Sequence, residues 1–308
     1  MEKIIEVKNL KKSYGNVKAV KGIDFYVEKG KMFAFLGPNG AGKSTTIDMI
    51  CTFLKPDEGS VIIDGCQLSK EDHKIREKIG VVFQDSVLDA RLTVKENLTV
   101  RARFYMKKKE DIKKAIQRVT KAAGLDEFLN RPYGKLSGGQ RRRADIARAL
   151  LHTPKILFMD EPTTGLDPQT RKNVWNMVMK LQKDLGMTVF LTTHYMEEAA
   201  QADYIIIADH GEVAVKGTPY ELREQYSRDV LKIKPYAESE RFLIHALDEK
   251  RIKHQKEAER ITVPIKSSKE AIQLLHELEN HIENFEVIHG TMDDVFLNIT
   301  GEEIRNYA

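Results

Sequence analysis

Eight consecutive residues, Gly37-Pro38-Asn39-Gly40-Ala41-Gly42-Lys43-Ser44, fit the pattern G-x-x-x-x-G-K-[ST]. Glycines at these places let the backbone curl until successive N–H groups point at phosphate oxygens. A helix opening at the end of such a loop adds the positive end of its dipole. Lys43 can then reach the β- and γ-phosphates of a nucleotide, and Ser44 offers a hydroxyl to Mg²⁺, with Thr45 next in line. A second pair of residues could complete this chemistry. Asp160 closes the apolar run Ile156-Leu157-Phe158-Met159, and Glu161 follows it. A carboxylate there can bind Mg²⁺ through hard oxygen ligands. Its neighbour is placed to polarise a water for attack on a γ-phosphate. A third string, Leu136-Ser137-Gly138-Gly139-Gln140, lies 16 residues before that apolar run. A Ser-Gly-Gly turn opening a helix is a further set of bare N–H groups with a dipole behind them.

These groups need elements to present them. Lys31 to Leu36 reads as a strand running into the glycine-rich turn, and Ser44 to Phe53 has helical character. Val81 to Phe83, Ile156 to Met159, Val189 to Thr192 and Ile205 to Ala208 read as further short buried strands. Such alternation of β-branched runs with helical patterns is the rhythm of βα units around a mainly parallel sheet. Ligands of such sheets bind beyond the carboxyl ends of the strands, where both the glycine loop and Asp160 fall. Residues 90 to 152 are helical in pattern, and Lys107 to Asp111 reads as a solvated helix start. After Gly217-Thr218-Pro219 the texture changes. Strands are expected at Asp229–Lys234, Arg260–Ile265 and Phe285–Ile288, and helices at Glu238–Arg251, Ser268–His281 and Met292–Ile299. The first of these helices carries Phe242, Leu243, Ala246 and Leu247 on one side; the second carries Ala271, Ile272, Leu275, Leu278 and Ile282.

Composition narrows the class. The chain has 308 residues, 50 Lys and Arg against 46 Asp and Glu, and a formal net charge of +4. With 41% hydrophobic and 31% charged residues it reads as an ordinary globular protein, not a disordered, collagenous or disulfide-built one. No apolar run approaches the roughly 18–20 residues that a membrane span needs. The start, Met1-Glu2-Lys3, lacks the apolar segment of an export signal. Cys51 and Cys66 are expected to stay reduced. The overall mix of charges gives no reason to expect a nucleic-acid partner.

Taken together and in this order, the three strings strongly resemble the nucleotide-binding domain of ATP-binding cassette (ABC) ATPases, over residues 2 to about 220. Other motifs carry over by that resemblance. Tyr14 matches the aromatic that stacks on adenine, and Gln84 the glutamine that touches Mg²⁺ and senses the transmembrane partner. Asp167, in Gly165-Leu166-Asp167, matches the loop that crosses between two cassettes. His194 stands 33 residues after Glu161 and matches the histidine that contacts the γ-phosphate. The resemblance implies that Ser137, Gly138, Gly139, Gln140 and Asp167 serve a nucleotide held by a second cassette. The loop before Asp167 reads Thr164-Gly165 where Ser-Ala is commoner, a subfamily variation.

The tail, Met292-Asp293-Asp294-Val295-Phe296-Leu297-Asn298-Ile299-Thr300-Gly301, resembles the accessory region of drug-resistance exporter cassettes of the ABC-2 type. Arg141-Arg142-Arg143-Ala144-Asp145 leans the same way. The expected fold class is therefore α/β. It comprises an ABC cassette of the P-loop NTPase type (residues 1–220), with a mainly parallel sheet core, an antiparallel β subdomain and a helical subdomain, and a small C-terminal α/β domain (221–308). The resemblance implies an ATPase using ATP and Mg²⁺, energising an exporter through separate transmembrane permease subunits and a second cassette. It would sit in the cytoplasm, on the inner face of the membrane. Two other functions share the cassette motifs: the ATPase of an importer and a non-transport ABC ATPase. The tail weighs against the first. Against the second stand the single signature string and the short interval of 93 residues between Ser44 and Ser137.

Overall fold

The computed structural model describes residues 2–301, and the chain divides into two units that meet at Pro219 and Tyr220. In the first, β1 (Lys3–Tyr14) and β2 (Val17–Glu28) form a long antiparallel hairpin. β3 (Met32–Leu36) runs into the glycine loop and α1 (Lys43–Ile50). β4 (Glu58–Ile63) and β5 (Cys66–Gln67) return to the hairpin, and α2 (Asp72–Lys78) leads to β6 (Ile79–Val82). Three helices follow, α3 (Val94–Ala102), α4 (Lys109–Ala123) and α5 (Gly138–Ala149). The unit closes with β7 (Ile156–Asp160), α6 (Pro168–Leu185), β8 (Thr188–Thr192), α7 (Met196–Ala199), β9 (Tyr204–Asp209) and β10 (Glu212–Gly217).

Two sheets result. One has the order β10-β9-β3-β8-β7-β6, parallel except for the edge strand β10. The other is the antiparallel sheet β2-β1-β4-β5. All five residues of β3 and of β8 are buried, as expected for strands covered on both faces. Register is set by one row of side chains. Phe33 pairs with Phe190, Phe190 with Phe158 and Phe158 with Val81, while Tyr204 flanks Phe33. Ring centroids of Phe33–Phe190 and Phe158–Phe190 lie 4.9 and 5.1 Å apart, and Phe25 of the hairpin stacks on Phe33 at 5.5 Å. A one-residue slip would throw this row to the wrong face, so packing fixes where each strand ends. Cys51 and Cys66 are free and buried, in line with the expectation that they remain thiols.

The strand expected at Val81–Phe83 is β6, ending at Val82; Phe83 leaves the sheet and opens a loop. Its ring packs on Phe53 instead, at 5.5 Å. The helix expected to reach Phe53 stops at Ile50.

In the second unit α8 (Pro219–Tyr226) precedes β11 (Asp229–Pro235), α9 (Glu240–Glu249), β12 (Gln255–Glu257), β13 (Arg260–Ile265), α10 (Ser268–Leu278), β14 (Ile282–Ile288) and α11 (Met292–Thr300). From β11 to β14 this is a split β-α-β-β-α-β arrangement with sheet order β12-β13-β11-β14, antiparallel throughout. Its core joins Leu231, Ile233, Leu243, Leu247, Ile261 and Leu274. The apolar stripes differ from expectation. Phe242 is 53% exposed and lies against His281, and Ile272 is 66% exposed, whereas Leu274 is buried. On α10 the buried residues Ala271, Leu274 and Leu278 follow 3–4 spacing, which puts Ile272 outside the stripe. The last turn of the expected helix is a 3₁₀ turn, Glu279–His281. The strand β12 had no apolar signal, since all three of its residues are exposed.

Leu247→Ala should remove a fully buried side chain from this core. A loss of about 2–5 kcal/mol is expected, read as faster amide exchange within residues 220–301; unchanged exchange there would contradict the packing described.

Candidate functional site

The parallel register delivers the chemical groups to one sheet edge. Phe35 and Asp160 both pair with Thr192, and Val82 pairs with Met159. The glycine loop, Asp160-Glu161, His194 and Gln84 therefore leave the sheet side by side. Gly42 has φ +90°, and a Cβ there would meet the carbonyl oxygen of Ala19 at 2.4 Å, so the loop requires glycine at this point. The same approach packs the loop on the hairpin that ends in Tyr14. Tyr14 itself is half exposed at the hairpin turn.

Lys43 is buried, and its ammonium donates to the carbonyl oxygens of Gly37 and Pro38 at 2.8 and 3.0 Å. Burial lowers its pKa, opposed by the charges of Glu161 and Asp160 close by. Ser44 is exposed, and Thr46 is turned inward, donating to the Gly42 carbonyl at 2.8 Å.

Thr192 organises both carboxylate residues. Its hydroxyl donates to Asp160 Oδ1 at 2.5 Å, and the amide of Glu161 reaches both its carbonyl and its hydroxyl oxygen at 3.2 Å. Glu161 has φ +44°, a left-handed conformation that costs a non-glycine residue energy and persists because its surroundings hold it. Glu161 Oε2 lies 3.4 Å from His194 Nδ1 and accepts from Thr164 Oγ1 at 3.1 Å. His194, more than burial, decides its titration: the carboxyl is held below the ordinary glutamate value. Beneath them Glu198 is buried and accepts from the hydroxyls of Thr163 and Thr193, tying the loop after Glu161 to the turn before His194.

Ser137 caps α5. Its hydroxyl accepts from the amide of Gln140 at 3.3 Å, and the Gln140 side chain accepts from the amide of Ser137. Ser137 and Gly138 are exposed, while Gly139 is buried against α6, where a Cβ would come within 2.3 Å of Thr170 Cγ2. Asp167 caps α6 by accepting from the Thr170 amide at 3.0 Å. Ser137–Gln140 and Asp167 therefore belong to one packed block.

Three consecutive arginines each serve a different segment. Arg141 donates to the Gly134 carbonyl at 2.7 Å, and Arg143 closes the end of α4 through the carbonyls of Ala123 and Gly124. Arg142, buried, donates to the carbonyls of Phe83 and Gln84 at 2.7 and 3.0 Å. Asp145, one turn further on, accepts from Ser86 at 2.6 Å and from Tyr133 at 3.1 Å. Burial pushes the Tyr133 hydroxyl up to about 12. Arg148 adds a bond to the Val81 carbonyl at 2.6 Å. The Gln84 loop is thus stapled to α5 by buried charges, while the Gln84 side chain stays exposed.

Sequence reasoning gave no role to Thr192, Arg142, Asp145 or Glu198. The Thr192-Thr193-His194 string was legible, but not that its first hydroxyl holds Asp160. Arg and Asp three residues apart within a helix were the one hint of a buried pair on α5.

With the geometry in place, comparison with known proteins is decisive. A family described as ABC transporter matches residues 20–164, and one described as ATP-binding protein DrrA1-3-like, C-terminal domain, matches residues 217–300. The daunorubicin/doxorubicin resistance ATP-binding protein of Streptomyces peucetius is 38% identical, with 96% of this chain and 92% of that protein covered. The chain belongs to the ABC transporter ATP-binding protein family. The linearmycin resistance ATP-binding protein of Bacillus subtilis is 36% identical over 98% of this chain and 100% of its own. The Nod factor export ATP-binding protein of Ralstonia nicotianae is 34% identical, at 98% and 95% coverage. Among solved structures, cbiO1 from Clostridium perfringens, part of an ABC transporter complex, superposes with a TM-score of 0.68 at 29% identity, covering 81% of this chain and 96% of that one. The ATP-binding cassette MJ0796, solved as a dimer bound to ADP and phosphate, gives 0.63 at 34% identity, covering 70% and 98%. The expectations of an ABC cassette fold and an ATPase of this family hold.

Two outcomes follow for this ABC cassette. In His194→Ala, Glu161 loses the partner that depresses its pKa. The acid limb of the residual rate should therefore move to higher pH; an unmoved limb in pH–rate profiles would show that the pair does not matter. As a depressed carboxylate, Glu161 contributes stability above the ordinary glutamate range that disappears as pH falls through its lowered folded value. In Arg142→Met, two charge-assisted hydrogen bonds, worth about 1.5–3 kcal/mol each, are lost. Amide exchange at residues 83–88 should accelerate more than in the glycine loop.

Proposed function

We propose that this chain hydrolyses Mg²⁺-ATP as one half of a head-to-tail pair of cassettes and so drives export through separate membrane permease subunits. The observation that carries this reading is the juxtaposition of Glu161 with His194 beside buried Lys43. Lys43 and the amides of Gly37 to Ser44 would hold the β- and γ-phosphates, with Pro38, Asn39, Gly40, Ala41 and Thr45 shaping the cradle. Tyr14 would stack on the adenine. Glu161, kept ionised, would accept a proton from the attacking water, and His194 would bear on the γ-phosphate.

The donors present suit Mg²⁺, which favours oxygen ligands. Ser44 presents an exposed hydroxyl, Gln84 an exposed amide, and Asp160 has one oxygen held by Thr192, which orients the other. A bound Mg²⁺ would offset phosphate charge. Ser137, Gly138, Gly139, Gln140 and Asp167 would complete the site of the partner cassette, since Ser137 and Gly138 expose their helix end to the outside.

Among the described residues no helix is long and apolar enough to cross a membrane, so transport would require partner subunits. Their location would place this chain at the inner membrane face in the cytoplasm. Export is favoured over import by relatives along nearly the whole chain that are named for drug resistance and Nod factor export.

Glu161→Gln keeps shape but removes the base. Turnover should fall roughly 10²–10⁴-fold, with ATP affinity preserved. Equal hydrolysis by parent and variant would remove Glu161 from the mechanism. Ser137→Arg should leave ATP binding to a single chain intact while abolishing turnover and the ATP-dependent dimer seen by ultracentrifugation; if binding were lost too, the trans role of Ser137 would fail.

A further inference from the structure

The near balance of charge over the whole chain conceals an uneven distribution. Residues Val94–Ala123, which make α3, α4 and their connection, hold ten Lys and Arg against three Asp and Glu. That is a net +7 in a chain whose total is +4, leaving −3 on everything else. Part of this charge surrounds an open groove of about 680 Å³ between the two helices. Lys95, Arg103, Lys109 and Lys113 line it, with Asp126 as its one acidic residue. None of these four cations forms an ion pair among the described residues. The lining also includes half-buried Leu129 and the edges of Ile112 and Ile116, 8% and 7% exposed, so the cationic rim encloses a narrow apolar floor. Thr120, 6% exposed, lines the groove too, and its hydroxyl has no hydrogen-bond partner. On the connection next to Arg103, Phe104 is 75% exposed, followed by Lys107 and Lys108.

We propose that this groove is a docking surface for anionic phospholipid. The headgroup phosphate would be met by the four cations, and the first acyl carbons would lie over Ile112 and Ile116. Charge alone would suit any polyanion. The apolar lining inside a cationic rim, together with an exposed phenylalanine flanked by Arg103 and Lys107, is the pairing an interfacial lipid surface rewards. Nucleic acid or free phosphate would leave the apolar part unused. The proposal deepens the membrane location suggested above by giving this chain its own contact with the bilayer. It is tested without the permease, so its failure is distinct from failure of the transport reading.

The test is co-sedimentation of the full chain with phosphatidylcholine vesicles, with and without phosphatidylglycerol, across a salt series. Binding is expected only to the anionic vesicles, weakening with salt. Each juxtamembrane Lys or Arg contributes about fivefold. Lys109→Ala/Lys113→Ala should therefore bind roughly 25-fold more weakly, while Lys172→Ala/Lys180→Ala on α6 removes the same charge without that loss. Phe104→Ser, which leaves charge untouched, should also weaken binding. ATP hydrolysis by all three variants should match the parent, which reports that they fold. Equal vesicle binding by parent and groove variant would overturn the proposal. So would loss of binding equally in the α6 control, or a single-stranded oligonucleotide or inorganic phosphate competing fully at equal charge.

Discussion

The site depends on one constraint, the parallel register of β3, β8, β7 and β6. Phe33, Phe190, Phe158 and Val81 form a single packed row, and a strand cannot slip by one residue without sending its member of the row to the opposite face and breaking that packing. Two residues beyond that row, on β3, β8 and β7, stand Phe35, Thr192 and Asp160, and the chemistry begins there. Core packing on one side of the sheet edge thus sets, to within a hydrogen bond, where the carboxylates lie on the other. The hydrogen bonds from Thr192 to Asp160 and from Glu161 to Thr192 are the physical expression of that register.

Electrostatics then divides the charged groups by what surrounds them. Lys43 is desolvated, which lowers its pKa; the nearby charges of Glu161 and Asp160 oppose that shift, and two loop carbonyls accept its hydrogen bonds. Glu161 is only partly desolvated and faces His194, so its charge is kept; Glu198, more deeply buried, has its pKa raised by desolvation and relies on two threonine hydroxyls. Carboxylates a few residues from one another in space are thereby set for different work: one as an ionised group at the surface of the site, one as a structural anchor beneath it. The left-handed backbone of Glu161 belongs to the same picture, because the Thr192 bonds that hold its amide also fix the direction of its side chain.

Much of this was legible in the chain. Strand–glycine loop–helix, apolar run–Asp-Glu, and Ser-Gly-Gly opening a helix are local patterns, and each lies where expected. What escaped were residues whose role is set across distance. Arg142 looks like one of three solvated arginines until the fold brings the carbonyls of Phe83 and Gln84, 59 and 58 residues away, against it. Thr192 reads as one more β-branched strand residue. In the second unit, Phe242 and Ile272 are hydrophobic by type, but the rotation of each helix that buries Leu243 with Leu247 and Leu274 with Leu278 leaves them outside. Pattern fixes that a helix is amphipathic; only packing decides which of two adjacent apolar residues faces in.

The buried arginines also bear on how a second cassette could be felt. Gly139 packs on Thr170 so closely that no side chain fits between them, and Asp167 caps the same α6. Any partner that grips Ser137, Gly138 and Asp167 therefore grips one block, not two independent loops. That block includes α5, and α5 carries Arg142 and Asp145, whose bonds run to Phe83, Gln84 and Ser86. Breaking them would strand buried charges without partners, which costs more than moving the loop with the helix. A displacement of α5 imposed from the helix end at Ser137 is accordingly transmitted to the Gln84 loop. On the proposed reading, that loop would report to both the metal and the membrane subunit, so Arg142 and Asp145 would convert contact between cassettes into motion at the Gln84 loop.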